Sequence, residues 1–226
     1  MEKKYRVLLF AFLCFFSLKN YAQSSDLGST IEAEISKRFF KKLDLSISAE
    51  WRQREDLKEI DRYSFGGDIG YRFNSYLKIG AAYNYIQFNH NKKGWETRHR
   101  YHAYATGSYK YNRLKFSLRE RFQSTYRVGV KETYKRANPK FIMRSKFEID
   151  YNIRKSMFEP YVSAELYNTL NDPRKNYVDR LRYEVGTAIK LNKKNSFNVG
   201  YRYTDYAIPE DGDIVHCICI GYNFKL

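Results

Sequence analysis

Proline and cysteine are scarce in this 226-residue chain, 4 of the first and 3 of the second, and methionine is as rare at 3. Three cysteines exclude a disulfide-rich scaffold. Acidic residues are short as well, 25 against 41 Lys and Arg. Beyond residue 22 no apolar run is long enough for a transmembrane helix, and no segment has a 3.6-residue apolar rhythm. What abounds is aromatic, with 22 Tyr and 16 Phe, and the 43% hydrophobic content excludes a disordered chain. A mean hydropathy of −0.69 argues against a helical membrane bundle but not against a β-barrel, which shows lipid only alternate residues. All-β folds of this length are usually single domains.

The first residues read as a targeting signal. Lys3, Lys4 and Arg6 precede the apolar Val7–Leu18, and Lys19-Asn20-Tyr21-Ala22-Gln23 follows. A basic start, a short apolar core and a small residue form a cleaved secretory signal, here residues 1–22, with 23–226 as the mature domain. Val7–Leu18 is too short to cross ~30 Å of hydrocarbon. Cys14 follows Leu13 inside the apolar run, which argues against a lipid-modified cysteine. Cleavage removes Lys3, Lys4, Arg6, Lys19 and Glu2, leaving 37 basic and 24 acidic residues, net +13. Such a charge invites a nucleic-acid reading. Export argues against it, and no finger, Gly-rich loop or basic helix supports it.

The mature chain keeps a period of two. Leu43, Leu45, Ile47, Ala49 and Trp51 alternate with Asp44, Ser46, Ser48, Glu50 and Arg52, which puts the two sets on opposite faces of a strand. The pattern recurs to the C-terminus and marks ten strands from Leu43 to Leu226. An eleventh, Ser29–Ser36, sets Ile31, Ala33 and Ile35 opposite Glu32 and Glu34. Glu120 breaks the pattern by falling on an apolar face. Bacterial single-chain barrels normally have even strand counts. Either Ser29–Phe39 is therefore not a full wall strand, or Tyr126–Lys140 hides a further one. The expected fold is all-β, a single transmembrane antiparallel barrel of 10–12 strands behind a cleaved signal. A soluble exported β-sandwich also alternates. Three features favour the barrel. Short connectors (Asn74-Ser75, Tyr111–Arg113, Asn152–Ser156, Asn192–Asn195) alternate with longer ones (Glu55–Asp61, Asn89–Glu96, Tyr126–Lys140, Asn168–Asn176, Asp205–Asp213). Tyrosines gather near strand ends. The chain stops in its last strand, with Ile218, Ile220, Tyr222, Phe224 and Leu226 on one face.

Several short motifs carry a resemblance to a known family. They are Ala22-Gln23, Glu50-Trp51-Arg52-Gln53-Arg54, Asp61-Arg62-Tyr63, Gly70-Tyr71-Arg72-Phe73, the Arg-x-Arg pairs, and Pro160-Tyr161 followed by Glu165-Leu166-Tyr167. In order and spacing the chain resembles a family of small outer-membrane β-barrels of Bacteroidetes-type bacteria, catalogued as domain of unknown function family 2490. The resemblance spans essentially the whole mature chain. It implies an outer-membrane barrel in a Gram-negative cell and no established reaction.

The candidate site is a charge ladder on the polar faces. It comprises Glu50, Arg52, Arg54, Asp68, Arg72, Arg98, Arg100, Arg119, Arg121, Arg144, Glu148, Glu165, Arg180, Arg182, Glu184 and Arg202. In a barrel these groups project into one lumen, where charges drawn out of bulk water need partners. Arg suits the task because its planar fork bridges carboxylates. The main expectation is a structural or weakly transporting barrel with an Arg-rich interior. An anion-selective pore with a small anionic ligand is one alternative. An outer-membrane lipid-modifying enzyme, phospholipase- or acyltransferase-like, is the other. His99 and His102 precede Tyr101 and Tyr104 at i+2, where such an enzyme would carry Ser. Cys217-x-Cys219 offers too few ligands for zinc, and no metal or cofactor is expected. Tyr222, Phe224 and Leu226 form the expected signal for the barrel-assembly machinery. The expected surroundings are outer-membrane lipid, with basic connectors (Lys92-Lys93, Arg127, Lys131, Lys135-Arg136, Lys140, Arg174-Lys175) near its phosphates and the protein a monomer.

Overall fold

The period-two pattern becomes strand along most of the described residues. A computed structural model describes residues 25–90, 94–133, 136–173, 176–206 and 214–226. The signal sequence expected at residues 1–22 lies outside them, as do Lys92-Lys93, Lys135 and Arg174-Lys175. The strands are β1 Ser25–Phe39, β2 Leu43–Arg54, β3 Glu59–Arg72, β4 Leu77–His90, β5 Gly94–Tyr111, β6 Leu114–Arg127, β7 Lys140–Tyr151, β8 Phe158–Thr169, β9 Tyr177–Lys190, β10 Asn195–Tyr206 and β11 Ile214–Lys225.

They close into one barrel, each strand beside its sequence neighbours, with β1 against β11. Eleven strands lie within the expected 10–12, and the count is odd. Ser25–Phe39 is a full wall strand, and between Arg127 and Lys140 the described residues hold only an isolated bridge, Thr133 to Arg136. With eleven strands running alternately up and down, the first and last point the same way. The β1–β11 seam is therefore parallel, while the other ten are antiparallel. The parallel register keeps apolar beside apolar: Ile31 pairs with Ile220, Ala33 with Tyr222 and Ile35 with Phe224.

The registers also set the shape. A walk from Phe39 across every seam passes Leu43, Tyr71, Ile79, Ala105, Glu120, Ser145, Leu166, Leu181, Asp205 and Ile214, and returns to β1 at Ser25. The shear is thus 14 residues, from 39 to 25. For eleven strands this means a tilt of roughly 40–45° and a backbone diameter of about 22 Å.

Strands run 12 to 18 residues, so the hairpins reach further than the sequence pattern suggests. The connector expected at Glu55–Asp61 shrinks to 55–58, and that at Asn89–Glu96 to 91–93. Residues 40–42, 73–76, 112–113, 152–157 and 191–194 turn at one end, where the chain finishes; connectors 55–58, 91–93 and the three longer ones, 128–139, 170–176 and 207–213, share the other with Ser25. The Asn74 and Asn192 carboxamides each accept two backbone N–H groups at 2.8 Å, the side-chain turn that Asn favours.

Outside, an aliphatic band of Ile35, Ile47, Ile69, Leu118, Val185 and Ile220 is exposed. Tyr71, Tyr76, Tyr109 and Tyr111 ring the short-turn end; Tyr63, Trp95, Tyr126 and Tyr183 lie toward the other. Two aromatic girdles around an apolar band are the lipid-facing surface of a membrane barrel. Inside, the half toward the long connectors is packed: Thr30, Ser64, Ile86, Thr125, Ile142, Tyr167, Thr169 and Thr204 are buried.

Candidate functional site: the charged lumen

Below that packed half the interior opens into a cavity of about 780 Å³. Small residues make the room. Tyr104 lies against Gly80 and Gly70, and Tyr161 against Gly186 and Gly200; a Cβ on Gly80 or Gly186 would come within 2.6 Å of those phenol groups. The tyrosines thus lie along the wall instead of across the lumen. Their hydroxyls donate to Asp68 at 2.9 Å and to Glu184 at 2.7 Å.

The cavity ends at a layer of arginines. Corrected for the tilt, the registers bring Arg52, Arg100, Arg144, Arg182 and Arg202 to one height from five different strands. Their partners differ. Arg52 bridges Glu50 at 2.7 Å, and Arg202 bridges Glu184 at 2.7 Å. Arg144 reaches Glu165 at 2.8 Å and also donates to Gln123 at 3.2 Å. Arg182 stands 3.8 Å from the Glu165 Oε2, which also accepts the Tyr167 hydroxyl. The Tyr167 ring carries Arg144, Arg180 and Arg182 at 4.5–5.0 Å from its centroid, and this cation–π contact holds three like charges close together. Among the described residues Arg100 donates only to Thr125, at 3.3 Å.

The other expected ladder residues also face the interior. Arg54 meets Glu59 at 3.1 Å, Arg98 meets Glu96 at 2.5 Å, and Arg180 meets Asp179 at 2.6 Å, all toward the long connectors. At the short-turn mouth Asp44 collects Arg38, Arg72 and Lys78 at 2.6, 2.9 and 3.4 Å. Glu148 pairs with Lys146 at 2.6 Å. Asp68 is held by Tyr104 with no Lys or Arg within 4.0 Å, and Arg119 and Arg121 have no carboxylate that near, among the described residues.

The ladder as read from the sequence omits Glu32, Glu34, Asp44, Lys78, Tyr104 and Tyr161, which all reach the same interior. Glu32 and Glu34 are the polar alternates of β1, and they enter the site because β1 is a wall strand. Arg127 and Lys140 are strand ends, and Lys140 is engaged by Asp179 at 2.8 Å. His99 faces outward, its Nδ1 2.7 Å from the Tyr83 hydroxyl, while His102 faces in with its Nδ1 buried and unpartnered. No serine hydroxyl bonds to His99, His102 or His216 among the described residues. Cys217 and Cys219 are free thiols on the inner face, 3.8 Å apart. Among the described residues no group of His, Cys, Asp and Glu is arranged to hold a metal ion.

A closed barrel with an ionised interior and an apolar exterior between aromatic girdles is a porin-like transmembrane β-barrel. The chain belongs to the family described as protein of unknown function, DUF2490, which matches residues 31–208. Among solved structures it is similar to a NanC porin, at 15% identity and a TM-score of 0.56, over 89% of this chain and 99% of that one. It is also similar to a KdgM porin at 15% identity and a TM-score of 0.46, over 76% and 81% of the two chains. At such identity the likeness concerns the fold. No curated protein sequence matches the chain.

Proposed function

We propose that this protein resides in the outer membrane of a Gram-negative cell, exported by residues 1–22, as a structural and only weakly conducting barrel that favours anions. The observation that carries the reading is the arginine layer. Arg52, Arg144 and Arg202 are bridged to Glu50, Glu165 and Glu184, and the interior beyond them is filled with side chains. Ions cross only when these pairs rearrange, so conductance is small. The preference for anions follows from Arg100, Arg119 and Arg121, which lack carboxylates within 4.0 Å among the described residues. Tyr222, Phe224 and Leu226 serve as the signal that the assembly machinery reads, and lipid surrounds a monomer along the aliphatic band. An open anion pore is the second reading, favoured by the same three arginines.

Planar-bilayer recording decides between them. The first reading expects rare, small current steps and, in a KCl gradient, a reversal potential displaced toward that of chloride. Large, long-lived open steps move the protein to the pore class. A cation-directed reversal potential overturns both readings.

A further inference from the structure

Among the unpaired charges that line the cavity the acids and the arginines stand on different walls, Arg100 of β5 standing beside the β6 arginines and Lys225 of β11 at the short-turn mouth. Glu32, Glu34 and Asp68 stand on β1 and β3; Arg119 and Arg121 stand on β6. β6 lies five seams from β1 in one direction and six in the other, which is diametrically across the barrel. Height follows from the registers. Along the hydrogen bonds Glu32 is followed by Glu50, Ser64, Ile86, Arg98 and Arg127. In the other direction it is followed by Gly221, Asn198 and Ala188, down toward the short turns. The tilt divides this difference evenly, so Arg121 stands level with Glu32, and Arg119 level with Glu34 and Asp68.

The opposed groups do not bridge each other. No Lys or Arg is within 4.0 Å of Glu32, Glu34 or Asp68 among the described residues, and no carboxylate is that close to Arg119 or Arg121. Once Arg and Glu side chains are subtracted from a barrel of this width, roughly 10 Å stays open between the walls. All five groups line the one cavity, and the Arg121 Nε is buried without a hydrogen-bond partner. Low-dielectric walls concentrate such a field across the gap. A lone anion gains from one wall and is repelled by the other, whereas a molecule with both charges gains from each.

We propose that this cavity binds a zwitterion, with a primary ammonium against Glu32, Glu34 and Asp68 and a carboxylate against Arg119 and Arg121. An ω-amino acid or a short peptide has that chemistry. The inference rests on the reading of the interior as a charged, nearly closed compartment, and it names what that compartment takes. Tyr104 and Tyr161, lying along the wall, leave space for the apolar spacer between the two charges.

Equilibrium dialysis on the full-length protein in detergent tests it, with 6-aminohexanoate, hexanoate and hexylammonium at one ionic strength. The zwitterion should bind at least tenfold more tightly than either single-charge probe. The pair Glu32→Gln with Glu34→Gln should weaken 6-aminohexanoate at least tenfold while leaving hexanoate unchanged or tighter. The pair Arg119→Gln with Arg121→Gln should also weaken the zwitterion at least tenfold. Should a double variant fail to fold, judged by gel mobility before and after boiling, the singles Glu34→Gln and Arg119→Gln should each weaken binding at least threefold. Equal binding of hexanoate and the zwitterion overturns the proposal, as does indifference to the acid-to-amide change or the lack of any binding. Such results beside small anion-directed currents overturn this inference alone; a large cation-directed current overturns the reading beneath it.

Discussion

Glu165 is a deeply buried carboxylate of the lumen with three polar partners. It is 6% exposed, bridges Arg144 at 2.8 Å, stands 3.8 Å from Arg182 and accepts the Tyr167 hydroxyl. Removing one partner of a buried ion pair leaves the other charge without compensation, which commonly costs ~3–5 kcal/mol and less where water reaches it. Glu165→Gln should therefore lower the free energy of unfolding in detergent or lipid by an amount within or just below that range, read from a denaturant titration. In an open anion pore the same change would leave stability almost untouched and raise chloride current. Glu120 makes the opposite case. It faces outward between Leu118 and Phe122, which are exposed, and among the described residues only Ser145 reaches it, donating at 2.7 Å. A carboxyl on the lipid face near mid-barrel is destabilising, though less so than a basic residue. Glu120→Leu should raise stability in urea titrations from liposomes by about 1–2 kcal/mol. A loss of stability would show that Glu120 has a partner within the membrane.

At the scale of the element, β11 decides closure because it joins two seams at once. Tyr222 pairs with Ala33 on one side and Phe197 on the other, and Phe224 pairs with Ile35 and Asn195. Its last residue still takes part, the Leu226 N–H donating to the Ser36 carbonyl at 2.8 Å. The Tyr222 hydroxyl donates to Asn195 at 2.5 Å, and its ring packs on Phe197 with centroids 5.0 Å apart. Deleting Tyr222–Leu226 strips both seams at the short-turn end and leaves the edges of β1 and β10 unpaired, exposed to aggregation. The truncated protein should accumulate unassembled in the periplasm and be degraded there, as fractionation and immunoblotting would show. Normal assembly of the truncation would remove these residues from any signal role.

For the whole molecule, the closed hydrogen-bond ring and the apolar exterior make a joint demand. A barrel without edges keeps its shape in sodium dodecyl sulfate until heated, so its gel mobility should change on boiling. Its aliphatic band, with Ile47 63% exposed, needs lipid or detergent, so carbonate or salt washing should leave it in the membrane pellet. Release into the wash would mean that the alternation belongs to a soluble sandwich.

How far such properties can be read without coordinates depends on their range along the chain. The in–out alternation is local. Pleating alone sends Leu45 and Ile47 to one face and Ser46 and Ser48 to the other, so the strands, the barrel class and the charged interior are all legible in the residue pattern. Eleven strands fall within the expected 10–12, but pattern alone left open whether β1 is a full wall strand, and the parallel β1–β11 register makes it one. The extra strand length was missed where charged residues such as Glu59 and Glu96 continue the ladder past the apolar band. Which charges meet was beyond reach altogether. Nothing local relates Glu32 to Arg121, residues at matching heights on opposite walls. A shear of 14 residues, from Phe39 to Ser25, brings them level, and it exists only once all eleven seams have closed.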